Sequence, residues 1–116
     1  MTEAGSILLV EDDAPLRMVC RVNLELDGYR VREAASIDEA RAAVAEERPA
    51  LVFLDLHLGT VASDEILAEL RASGIRVVLV SGTIDMTEYE GRAEAVMPKP
   101  FEPAQLLAAA RRYSVG

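Results

Sequence analysis

Short, continuously apolar runs alternate along this chain with segments in which apolar residues recur every three or four positions, and turn-forming residues separate the two kinds. Ile7-Leu8-Leu9-Val10 contains no polar position, as expected of a strand covered on both faces, and it stops at Glu11-Asp12-Asp13. Asp13 is placed to cap a helix with Pro15 in its first turn. On that helix Leu16, Val19, Cys20 and Leu24 are predicted to share the buried face, and Asp27-Gly28 ends it. Tyr29 and Val31 alternate with Arg30 and Arg32, the pattern of a half-exposed edge strand. Ser36-Ile37-Asp38-Glu39 reads as a capping box opening an alanine-rich helix that closes at Arg48-Pro49.

Leu51-Val52-Phe53-Leu54 is a second fully apolar strand, terminated by Asp55. A loop of Gly59, Thr60 and Val61 then leads to a helix carrying Ile66, Leu67 and Leu70, closed by Ser73-Gly74. Ile75 to Val80 is the third apolar strand and ends at Ser81-Gly82. From Thr83 to Glu94 the charges show no clean period. Met86 and Tyr89 suggest a short helix that Gly91 interrupts, so the fourth helix is predicted to be short or irregular and this segment the most mobile. Ala95-Val96-Met97 is a short strand stopped by Pro98-Lys99-Pro100, and Pro103 opens a last helix with Leu106, Leu107 and Ala110 on one face.

Strands alternating with helical segments predict an α/β fold, a single domain over residues 1–116. Right-handed crossovers, with the three most apolar strands innermost, give a doubly wound parallel sheet of five strands in the order 2-1-3-4-5. Ligands of such sheets bind outside the carboxyl ends of the strands, where the order switches.

Composition narrows the function by exclusion. Twenty acidic residues against twelve basic ones give a net charge of −8, and no basic cluster is longer than Arg111-Arg112, which argues against a phosphate backbone as partner. The single cysteine, Cys20, excludes an internal disulfide and a cysteine-based zinc site. No apolar run approaches the roughly 20 residues that span a bilayer, and Met1 to Gly5 lacks the charged and apolar parts of a signal peptide. The expected setting is cytoplasmic, with no membrane partner.

The strand ends carry the candidate chemistry. The first strand delivers Glu11 and Asp12, the third Asp55, the fourth Ser81 and the fifth Lys99. Taken singly, each is the kind of residue that sits solvated in any loop. Three carboxylates gathered together repel one another, and a hard divalent cation such as Mg²⁺, with oxygen ligands, resolves that repulsion. A lysine and a hydroxyl opposite suit a phosphoryl group.

Ile7-Leu8-Leu9-Val10-Glu11-Asp12-Asp13, Leu54-Asp55-Leu56-His57-Leu58-Gly59, Val80-Ser81-Gly82 and Pro98-Lys99-Pro100-Phe101, in this order and spacing, resemble the receiver domain of bacterial response regulators over essentially the whole chain. The resemblance implies a flavodoxin-like fold and a phosphoacceptor, Asp55, charged by a histidine kinase or a histidine phosphotransfer protein. It further implies Mg²⁺ bound by Asp12, Asp55 and the backbone carbonyl of His57, with Glu11 acting through a water. Lys99 would pair with the phosphoryl oxygens, Ser81 would hydrogen-bond one of them, and the Lys99–Pro100 peptide would be cis. The His57 side chain would border the approach of the hydrolytic water. Such a protein catalyses its own phosphotransfer and dephosphorylation and is not a turnover enzyme.

The chain departs from the commoner pattern at several positions. It has Leu58-Gly59 where Met-Pro is usual, Ser63 where a glycine is usual, and Val96 where a switch aromatic lies three places before the lysine. Lys99 follows Ser81 by only 18 positions. These features resemble a variant branch of receivers that lacks the switch aromatic. With the last residue at Gly116, the expected output is a surface read by a further, unidentified protein or phosphate handed onward, from a monomer or a weak phosphorylation-dependent dimer. Two other readings compete. A Mg²⁺-dependent phosphohydrolase of the haloacid-dehalogenase kind also uses a strand-end Asp, but Asp55-Leu56-His57 lacks its second carboxylate. A non-phosphorylated docking module is the other, and the intact set of Glu11, Asp12, Asp55, Ser81 and Lys99 speaks against it.

Overall fold

The computed structural model describes residues 5–55, 60–82, 89 and 91–114, with Thr60 described by its backbone alone. The elements in chain order are β1 (Ile7–Val10), α1 (Ala14–Leu26), β2 (Val31–Ala34), α2 (Ile37–Glu46), β3 (Leu51–Asp55), α3 (Thr60–Ala72), β4 (Arg76–Ser81), β5 (Ala95–Pro98) and α4 (Pro103–Tyr113). The five strands form one parallel sheet in the order β2-β1-β3-β4-β5, as the alternation of runs predicts.

Period-two alternation within the apolar strands builds two cores, one on each face of the sheet. Leu8, Val10, Val52, Leu54, Val77 and Leu79 point to the side covered by Ile37 and Ala40 of α2 and Ile66, Leu67 and Leu70 of α3. Ile7, Leu9, Leu51, Phe53, Val78 and Val80 point to the other, where they meet Cys20 and Leu24 of α1 and Leu106 and Ala110 of α4. Strands β1, β3 and β4 are therefore apolar throughout because both faces are buried. The edge strand β2 is half-exposed, and the proline in β5 is tolerated because that strand also lies at an edge.

Several local expectations need correction. The Asp13 carboxylate caps α1 by accepting from the Leu16 N–H at 3.1 Å, as read from the sequence. Val19, however, is 51% exposed, so the buried face of α1 is the narrower stripe of Cys20 and Leu24, with Leu16 packed at its edge. The capping box at α2 is only half formed. Ser36 Oγ accepts from the Glu39 N–H at 3.1 Å, but the Glu39 carboxylate accepts from the Ala35 N–H, one residue outside the expected partner. Thr60 and Val61 belong to the first turn of α3 rather than to a loop. The described residues form four α-helices; the short or irregular fourth helix expected between β4 and β5 falls largely on residues 83–88 and 90, which lie outside the described residues.

Candidate functional site

The strand register gathers the chemistry. Val10 pairs with Leu54 in neighbouring strands, so Glu11 and Asp55 emerge side by side one residue further on. Asp55 pairs in turn with Val80, which places Ser81 just beyond it, and Ser81 pairs with Pro98 ahead of Lys99. The Lys99 N–H donates to Ser81 O at 2.8 Å, and the Lys99–Pro100 peptide is cis.

Asp55 is 1% exposed, and Glu11 and Ser81 are buried with it. Lys99 Nζ donates to Glu11 Oε1 at 2.7 Å and to Asp55 Oδ2 at 2.9 Å, so one ammonium bridges two buried carboxylates. Asp12 lies exposed at the rim, yet Glu11, Asp12 and Asp55 each offer a carboxylate oxygen within 4.8 Å of the others. Burial pushes the Glu11 carboxyl up to about 7, helped by the neighbouring Asp55 and opposed by the hydrogen bond from Lys99. Burial also disfavours the charge on Lys99, but its bonds to Glu11 and Asp55 outweigh this and hold its pKa above the ordinary lysine value.

Three clustered oxygens of hard carboxylate character, one of them on a group that burial alone would leave partly protonated, fit a divalent cation of the Mg²⁺ kind. Cys20, behind the site, is buried and its thiol is pushed up to about 11, so it is an inert packing group rather than a nucleophile. His57 lies outside the described residues. The structure thus brings together Glu11, Asp12, Asp55, Ser81 and Lys99 at one end of the sheet.

One further residue, Arg17, joins the site, and a second, Tyr89, makes a long-range contact outside it; neither carried a signal in the sequence that could have singled it out. Arg17 of α1 folds back so that Nη1 donates to Glu11 O at 2.7 Å, while Nε donates to Glu33 Oε1 at 3.1 Å. Tyr89 donates its hydroxyl to Asp64 Oδ1 on α3 at 3.0 Å, and the Arg92 guanidinium lies 4.7 Å from its ring centroid. The Arg17–Glu33 and Tyr89–Asp64 contacts link residues 16 and 25 positions apart, which no local pattern records.

The comparisons with known proteins agree with this geometry. The chain is 38% identical over 118 residues to the alginate biosynthesis transcriptional regulatory protein AlgB of Pseudomonas aeruginosa, covering 96% of this chain and 26% of that protein. It is 34% identical over 110 residues to the DNA-binding response regulator MtrA of Mycobacterium tuberculosis, covering 90% and 48% respectively. The chain therefore spans half or less of the length of these relatives. A receiver domain protein described as CheY-like, from Methanospirillum hungatei, superposes with a TM-score of 0.86 at 26% identity, covering 95% of this chain and 93% of its own. The model of the response regulator receiver domain matches residues 7–111, and the chain belongs to that family.

Proposed function

We propose that this domain stores a phosphoryl group on Asp55, taken from the phosphohistidine of a histidine kinase or histidine phosphotransfer protein. The observation that carries the reading is the buried Asp55 carboxylate, bridged by Lys99 to Glu11 and flanked by Asp12 where the central strands end. Asp12 and Asp55 would hold Mg²⁺ directly, Glu11 through a water, and the backbone carbonyl of His57 would complete the protein ligands. The cation supplies charge that offsets the crowded carboxylates and the developing charge on phosphorus.

An Asp55 oxygen attacks phosphorus while the P–N bond to the donor imidazole breaks. The electron pair stays on that nitrogen, which then takes up a proton. Lys99, already a donor to Asp55, shifts to a phosphoryl oxygen, and Ser81 at the end of β4 donates to another. Water later attacks phosphorus, the bond from the Asp55 oxygen to phosphorus breaks, and inorganic phosphate leaves with the water's oxygen while the carboxylate is restored. AlgB and MtrA are named as a transcriptional regulatory protein and a DNA-binding response regulator, and the receiver here is proposed to act on a protein reader, with phosphorylation as the signal. No described helix is long and apolar enough to cross a membrane, and the reading places the domain in the cytoplasm.

The test is the intact mass after incubation with acetyl phosphate and Mg²⁺. One phosphoryl adduct is expected, lost in Asp55→Asn and in the metal-free control. Multiple turnover of a phosphomonoester without a stable adduct would replace this reading with a phosphohydrolase.

A further inference from the structure

The acidic pair Glu11-Asp12 sits in a short connection between β1 and α1, and something must hold that connection in place. Arg17 does so. Its Nη1 donates to Glu11 O at 2.7 Å, and this carbonyl belongs to the peptide that joins Glu11 to Asp12. Its Nε is in turn held by Glu33 Oε1 at 3.1 Å, near the end of β2, and Glu33 Oε2 takes Arg21 Nε at 3.3 Å. The Arg17 side chain is only 18% exposed. The guanidinium holds the carbonyl and the carboxylate from two nitrogens fixed in one rigid plane, whereas a lysine would have to reach both from one nitrogen on a flexible stem.

From this we infer that Arg17 is a positioning residue for the cation site: it fixes the Glu11–Asp12 peptide so that both carboxylates face Asp55, with Glu33 as its anchor. The inference rests on the reading of Asp12 and Asp55 as Mg²⁺ ligands. It has a diagnostic sign. Arg17 is a cation beside a cation site, so if it acted only through its charge, its removal would tighten Mg²⁺ binding. If it acts by holding the peptide, its removal loosens binding, as loss of groups that orient metal ligands does by roughly 10-fold or more.

The experiment is calorimetric titration of Mg²⁺ into the wild-type protein and into Arg17→Gln, Arg17→Lys and Arg41→Gln, each checked for folding by thermal melting. Arg41 pairs with Glu69 on the distant α2–α3 surface and controls for the loss of an arginine ion pair. The expected result is a Kd raised about 10-fold in Arg17→Gln. Arg17→Lys, which keeps the charge but not the fork, should also be weakened, and Arg41→Gln should match the wild type. An unchanged or lowered Kd in Arg17→Gln overturns the inference. Should Arg17→Gln not fold, Arg17→Lys decides alone, since unaltered binding without the planar fork overturns the inference. A wild-type protein that takes up no Mg²⁺ overturns the phosphoacceptor reading and this inference together, whereas wild-type binding with indifferent Arg17 variants sinks only the latter.

Discussion

Replacing Lys99 by Met keeps most of the side-chain stem but removes the charge that bridges Glu11 and Asp55. Both carboxylates are nearly enclosed, with side-chain exposures of 10% and 2%. The cost should therefore depend on whether Glu11 is charged. In the wild type the Glu11 carboxyl rises from 4.5 to about 7 on folding. The folded state thus holds a proton that the unfolded chain releases. Stability from this source is complete below about pH 4.5 and is lost as pH rises through about 7; at about 1.4 kcal/mol per tenfold change in proton affinity it amounts to at most about 3 kcal/mol. At pH 6 Glu11 is largely neutral, and the variant leaves one carboxylate, Asp55, without its ammonium, costing about 1–3 kcal/mol. At pH 8 the wild type carries two charged carboxylates around one ammonium. The variant must then either bury both charges or protonate Glu11 against the solution, and the loss grows to about 3–5 kcal/mol. Urea unfolding of both proteins at pH 6 and pH 8, in chelator, measures the difference directly. Saturating Mg²⁺ at pH 8 should recover much of it, because the divalent cation replaces the missing charge. A stability loss equal at the two pH values, or larger at pH 6, would refute the account of Glu11 as the group that titrates.

Smaller perturbations test the scaffold around the site. Asp13→Ala removes the acceptor for the Leu16 N–H and should cost about 1 kcal/mol in urea unfolding. Gly28 holds φ at +95° with open space where a Cβ would stand, so Gly28→Ala should cost about 1 kcal/mol through backbone strain alone. That variant should leave Mg²⁺ affinity unchanged, since the turn lies at the far end of α1.

Most of the fold was legible because burial imposes patterns that survive in one dimension. Ile7–Val10, Leu51–Leu54 and Val77–Val80 have no polar position, and such runs only make sense between two covering layers. The parallel arrangement and its order follow from that and from the handedness of crossovers. The site was legible for the same reason: the register of β1, β3, β4 and β5 converts the residue following each apolar run into a neighbour of the next. Composition alone would have found none of these residues.

The misreadings occur where partners are distant in sequence or where local patterns are degenerate. Val19 looked internal because it is apolar and near the right spacing, yet α1 turns it outward. Arg32 looked like the exposed half of an alternating strand. Its guanidinium instead reaches the end of α2, donating to Ala43 O and Glu47 O at 2.6 and 2.8 Å, and so satisfies carbonyls that a helix end leaves free. Val96, standing where an aromatic is usual, faces the core side of the sheet among α2 and α3 residues, and Tyr89 packs against that same core. An aromatic ring is thus present beside α3 but enters from the connection rather than from β5. It is tied to Asp64 by its hydroxyl, and Asp64 lies on the helix that follows Asp55, whereas Tyr89 lies on the connection that follows Ser81. This hydrogen bond ties the connection between β4 and β5 to α3, and the sequence could not disclose it because it spans 25 residues.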